Sequence, residues 1–196
     1  MSVRGVSPST GTAAIASTTD IPSTTRPKTV YCPSRARHWP TQMKNDVVPL
    51  AGMPLTYLAL NNTRVADLGT LRNLPLTRLD AARTRATNFN ALSGLKLTSL
   101  NLAHTRIANL APLKDMPVRF LQLEGCTNLT DFSVLTNCKL LEGVTVPGTA
   151  KNLEALKQLP RLRHIGYSLP EGGWEQVPLA EDFWRTQENR NGGGGK

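Results

Sequence analysis

Histidine, cysteine and arginine are the residues here whose chemistry would reach beyond packing, and their spacing decides how far. His38, His104 and His164 stand far apart, with no carboxylate or serine at a motif spacing, so no catalytic arrangement is readable. Cys32, Cys126 and Cys138 show no paired spacing and share no ligand pattern with the histidines. They are expected to be reduced, buried thiols, with no zinc site, disulfide framework or other cofactor. Such thiols fit a cytoplasmic home. The run Gly192-Gly193-Gly194-Gly195-Lys196 looks like part of a phosphate loop, but Arg190 stands where that motif needs its first glycine and no Ser/Thr follows.

Arginine is different. Thr63-Arg64, Thr84-Arg85 and Thr105-Arg106 recur every 21 residues, which lines up three positive charges, and Arg83 thickens the column. Such an edge suits an acidic protein or a phosphate backbone; it would equally be a solvated surface copied from repeat to repeat. The formal charge of +9 favours acidic partners and says nothing about fold. An aromatic content of 5% and the lack of any nucleic-acid module argue against nucleic acid. No stretch approaches the ~18 consecutive apolar residues of a membrane span, so no membrane is expected. Asn61-Asn62-Thr63 and Asn128-Leu129-Thr130 read formally as glycosylation sequons; without a secretion signal they are taken as coincidence.

The arginines ride on a longer repeat. Leu55, Leu58, Leu60, Thr63, Val65, Leu68, Leu71 and Leu74 return 21 residues later as Leu76, Leu79, Ala81, Thr84, Ala86, Phe89, Leu92 and Leu95. They return again as Leu97, Leu100, Leu102, Thr105, Ile107, Leu110, Leu113 and Met116. A fourth copy runs from Val118 through Cys126 and, after one added residue, to Cys138; a looser fifth runs from Leu141 to Leu159, and a sixth stops near Tyr167. Alternation in Leu58-Ala59-Leu60 predicts a short strand with leucines inward. The spacing of three in Leu68, Leu71 and Leu74 predicts 3₁₀ turns rather than α-helix. Thr63, Thr84, Thr105, Cys126 and Thr149 are expected to satisfy backbone groups at the turn after each strand, with Cys126 the weakest.

This pattern resembles the leucine-rich repeat in a short bacterial form with Thr at the usual Asn position. The resemblance implies an α/β solenoid: a right-handed superhelix with a parallel concave β-sheet and 3₁₀ or irregular convex turns. It also implies a non-catalytic, monomeric module that binds a protein partner on the concave face, and the basic charge balance favours an acidic one. By alternation that face carries Tyr57, Asn61, Arg78, Asp80, Ser99, Asn101, Phe120, Gln122, Glu124 and His164, with Arg64, Arg85 and Arg106 along one edge. Tyr57 and Phe120 are the candidate anchors. Ile165-Gly166-Tyr167 and Glu181-Asp182-Phe183-Trp184 resemble, less specifically, the array that follows the catalytic domain in some bacterial serine/threonine protein kinases. No kinase hallmark accompanies it, and Asp182-Phe183-Trp184 fails at its third position.

The flanks divide the chain. In residues 1–40 eighteen positions are Ser, Thr or Pro, and five basic residues face one acid, which reads as a disordered cationic leader. The repeat domain is expected over 41–168. It should begin mid-unit, since Ser34, Arg37 and Trp39 stand where a preceding strand would fall. A cap is expected over 169–187, with a short helix near Pro178–Trp184, and a flexible Gly-rich tail over 188–196.

Overall fold

In the computed structural model, residues 28–31 and 47–192 are described. Seven strands form one sheet, all parallel and ordered as in the chain. They are β1 (Lys28–Tyr31), β2 (Leu55–Ala59), β3 (Arg78–Asp80), β4 (Ser99–Asn101), β5 (Phe120–Gln122), β6 (Gly143–Thr145) and β7 (His164–Gly166). The register places Leu58, Leu79, Leu100, Leu121, Val144 and Ile165 side by side, so the sequence period becomes a step of one strand. From β2 to β6 each strand is followed by a 3₁₀ turn: Gly69–Asn73, Asn90–Leu92, Ala111–Leu113, Ser133–Asn137 and Leu153–Gln158. The spacing of three is therefore realised as the sequence predicts.

Strand leucines and turn leucines meet in a single core. Leu58, Leu68, Leu71, Leu100, Leu110, Leu113 and Leu121 are all essentially inaccessible to water. Ala81 and Ala86 thin the second repeat, and Phe89 is buried in the same stretch. At the turn leaving each strand, Thr63 Oγ1 donates to the Leu60 carbonyl (2.6 Å), Thr84 Oγ1 to Ala81 (2.9 Å) and Thr105 Oγ1 to Leu102 (2.7 Å). Cys126 breaks the pattern: its thiol reaches back to the Leu102 carbonyl of the preceding repeat at 3.0 Å. Thr149 is exposed and does not join the ladder. The turn after β6 takes another course there, closed by the Ala150 amide on the Pro147 carbonyl at 2.9 Å. Burial raises both described thiols, with Cys138 at about 11, and both are free.

Both flanks depart from expectation. Residues 28–31, assigned above to the disordered leader, are strand β1, in which Val30 pairs with Leu58. Val30 precedes Leu58 by 28 positions, not 21, so the missing strand half lies seven residues further back than a strict period puts it. The rest of the leader, with Ser34, Arg37 and Trp39, falls outside the described residues. Val47 and Leu50 are buried around the 3₁₀ turn Val48–Leu50, the turn half expected there. At the other end α1 spans Ala180–Gly192, longer than the short helix expected and running into the supposed tail. Glu181 and Asp182 in its first turn suit the positive end of the helix dipole. Phe183 is its buried contact, flanked by Tyr167 and Trp184 with ring centroids 5.3 and 5.1 Å away. Among the described residues no helix is long and apolar enough to cross a membrane.

Because each repeat leaves its faces for its neighbours to cover, the array should unfold as a unit. Leu100→Ala, at the middle of the sheet, is expected to destabilise the protein by about 2–5 kcal/mol. Urea melts followed by far-ultraviolet circular dichroism should show one transition at a lower midpoint. Two resolved transitions would show that the repeats are uncoupled.

Candidate partner-binding site

Side chains on the sheet face away from the core stand in two rows set by the register. Tyr57, Arg78, Ser99, Phe120, Gly143 and His164 form one row. Ala59, Asp80, Asn101, Gln122, Thr145 and Gly166 form the other. The expected concave residues are thus brought together, with Asn61 and Glu124 just beyond the strands.

The two halves of this face differ. Residues 168–179 form a strap that folds back over the C-terminal half. Trp174 lies on Phe120, ring centroids 5.3 Å apart, and Arg119 lies over the same phenyl ring at 5.7 Å. The strap needs a glycine below it: a methyl group on Gly143 would stand 2.6 Å from Trp174 Cε3. Glu124 Oε2 accepts a bond from the Leu169 amide at 2.8 Å, and Glu124 Oε1 lies 3.7 Å from His104 Nε2. His164 Nδ1 lies 3.0 Å from the Val177 carbonyl, and residues 178–180 complete the sheet edge. There the Ile165 amide donates to Pro178 and the Ala180 amide to Arg163. Phe120, Glu124 and His164 are therefore already engaged by their own chain. Gly143 and Thr145 are buried, and Thr145 Oγ1 accepts from the Leu123 amide at 3.2 Å.

The N-terminal half is more open. Arg78 is exposed and its guanidinium lies 5.4 Å from the centre of the half-buried Tyr57 ring. It stacks there instead of pairing with Asp80, which turns to its own backbone: Asp80 Oδ1 accepts from the Ala82 amide at 3.0 Å. Asn101 Oδ1 repeats this bond to the Ala103 amide at 3.0 Å. Burial raises the Asp80 carboxyl above the usual carboxylate range, against the lowering effects of the Ala82 amide and the Asn101 side chain. Ser99, Asn101 and Gln122 are half-buried and continue the polar surface. Arg64, Arg85 and Arg106 are exposed, on the turns that leave the strands.

Parallel strands in chain order, stepping by 21 residues from β2 to β5, with 3₁₀ returns and a threonine ladder through Thr63, Thr84 and Thr105, leave a single architecture. This is a leucine-rich-repeat fold. No protein-family model matches the chain, and no curated protein does. Solved structures similar to it include an internalin C2 and the internalin InlF, both from Listeria monocytogenes strain 4b F2365. The first has 20% identity and a TM-score of 0.43 over 57% of this chain. The second has 19% identity and a TM-score of 0.37 over 62% of it. The leucine-rich-repeat chain spans 61% and 50% of those two chains.

The strap escapes a periodic reading of leucine-rich repeats because it is not a repeat; its only signals are Trp174 and the glycine at a row position otherwise filled by larger residues. A second missed set does repeat. Asp67, Asn88, Asn109 and Asp131 each accept the amide two residues on, at 2.7, 3.0, 2.7 and 2.8 Å, and so open the 3₁₀ turns. The Ser133 amide lowers the Asp131 carboxyl below its ordinary range.

Two outcomes follow. Asp80 has a raised folded-state pKa, so the native state is penalised once the unfolded chain ionises above about 3.8. Asp80→Asn should therefore be more stable than the wild type at pH 7, with the gain vanishing as pH falls below that value; paired melts at pH 7 and pH 3 check it. Gly143→Ala should unseat Trp174, changing the near-ultraviolet circular dichroism while the far-ultraviolet spectrum holds. An unchanged near-ultraviolet spectrum would show that the strap does not rest on Gly143.

Proposed function

We propose that this chain is a non-catalytic protein-interaction module that receives its partner on the strap-free part of the concave face. Tyr57, Arg78, Asp80, Ser99, Asn101 and Gln122 provide the surface, and Asn61 borders it. The observation that carries this reading is the contrast between the two halves. Phe120, Glu124 and His164 are held by residues 168–179, whereas Arg78 is exposed above a row of half-buried polar side chains. Arg78, positioned over Tyr57, is the natural contact for a partner's carboxylate, because an aromatic-backed guanidinium keeps its forked donors directed outward. Aromatic and arginine side chains are also those that dominate interface energetics. The same proposal places the protein as a monomer in the cytoplasm, a setting supported by the free, buried Cys126 and Cys138. The exposed column Arg64, Arg85 and Arg106 supports a second reading, an acidic partner bound along the edge.

The full chain and its Arg78→Glu/Asp80→Lys variant, which keeps the net charge, separate these readings. Each is used to capture protein from lysate of the source organism, and captured proteins are identified and purified for affinity measurement. Loss of tenfold or more in affinity, about 1.4 kcal/mol, is expected for the variant. Equal affinities, with the loss appearing instead in Arg64→Gln/Arg85→Gln/Arg106→Gln, would move the site to the edge.

A further inference from the structure

At the other ends of the strands, where the chain enters the sheet, one position per repeat forms a separate ladder. It begins with threonines: Thr77 Oγ1 donates to the Thr56 carbonyl and Thr98 Oγ1 to that of Thr77, each at 3.1 Å. It then changes to charge. Arg119, Glu142 and Arg163 occupy the equivalent positions before β5, β6 and β7, and Arg161 joins them from the preceding turn. With Pro160 and Leu162 these four side chains line a cleft of about 330 Å³.

The charges in the cleft do not balance. Glu142 is taken by Arg119 through two parallel bonds, Nε to Oε1 and Nη2 to Oε2, both 2.9 Å. Hydrogen bonding from Arg119 holds the Glu142 carboxyl below its usual range, and the charges of Arg119, Arg163 and Arg161 add to that effect. Arg161 and Arg163 are exposed, and the ion pair formed in the cleft is that of Arg119 with Glu142. Two guanidinium charges are left over. The backbones of Arg119, Glu142 and Arg163 are tied together: the Glu142 carbonyl receives the Arg163 amide at 2.8 Å and the His164 amide at 3.0 Å, and the Arg119 carbonyl receives the amides of Glu142 and Gly143. A dianion whose oxygens can each meet a forked donor is the complement of such a pair.

We propose that the cleft bounded by Arg119, Glu142, Arg161 and Arg163 is an anion site for a phosphate dianion, with Arg161 and Arg163 as its direct ligands. Glu142 sets its affinity. It neutralises Arg119 and presents a carboxylate to the incoming anion, so it weakens the site it helps to shape. This site lies across the sheet from the Arg64, Arg85 and Arg106 column and is separate from the concave surface proposed above. Free phosphate and a phosphorylated side chain share this chemistry.

Calorimetric titration of the full chain at low ionic strength, first with inorganic phosphate and then with a short phosphoserine peptide, tests it. Binding is expected with one or both, at least tenfold weaker in Arg161→Gln/Arg163→Gln and unchanged in the charge-matched Arg64→Gln/Arg85→Gln. Glu142→Gln is expected to tighten binding severalfold, whereas Glu171→Gln, with the same charge change elsewhere, leaves it as it was. Tighter binding of the peptide than of phosphate identifies the esterified source; equal binding identifies the free ion. No binding of either probe by the wild type overturns the proposal. So does an equal loss in the two arginine pairs, or an equal gain in the two glutamine variants.

Discussion

The amide of Asn62 donates to the carbonyl of Ala82, that of Arg83 to Ala103, and that of His104 to Glu124, at 2.9, 2.9 and 2.7 Å. In each case donor and acceptor belong to successive repeats. The same is true within the strands and just after them, as with Leu60 to Asp80 and Ala81 to Asn101. A repeat thus cannot satisfy its own buried backbone, and leaving such groups unpaired is costly. Much else follows. The bonds fix the register, the register fixes which side chains stand in a row, and the rows decide where polar chemistry can accumulate.

The first of those bonds carries a conformational cost. Asn62, Arg83, His104 and Gly125 all have φ between 54° and 68°, one per repeat, in the left-handed region. For a residue with a side chain this is unfavourable by roughly 1–2 kcal/mol. At Asn62, Arg83 and His104 it is retained because the turned backbone aims the amide at the neighbouring repeat. Glycine at 125 serves a further end, since a side chain there would collide with the His104 imidazole. Asparagine and glycine suit this geometry on intrinsic grounds; Arg83 and His104 are held to it by the ladder.

Much of the architecture was legible in the sequence because it is periodic. Leu58, Leu79 and Leu100 announce the strands, Leu68, Leu71 and Leu74 the 3₁₀ turns, and Thr63, Thr84 and Thr105 the side-chain ladder. What was not legible breaks the period. Strand β1 is displaced, so a strict count from Leu55 and Leu58 lands on Ser34 and Arg37 instead of their partners Lys28 and Val30. Thr149 keeps both the residue type and its place five residues after the strand position Val144, yet the turn there is closed differently, by the Ala150 amide on the Pro147 carbonyl. The strap depends on pairs with no periodic relation, such as Glu124 with Leu169, 45 residues apart. The opening residues of the turns did recur, but as a mixture of Asp and Asn, which hides their shared role as acceptors. For the candidate site, alternation gave which side chains stand on the sheet face away from the core; it could not say which of them the strap engages.

The strap also divides the molecule by its capacity for change over evolutionary time. Units built on Leu58, Leu79 and Leu100 share one length and join their neighbours through backbone bonds indifferent to most side chains. They are interchangeable cassettes, and an in-frame duplication or loss of 21 residues among them would preserve every ladder. The units holding Phe120, Gly143 and His164 are not interchangeable, because each is cut to fit Trp174, Val177 or the closing edge. Lengthening or shortening of this protein by tandem copying is therefore confined to its N-terminal half, the half that carries the open surface. The open surface can grow or shrink while the closed end stays constant.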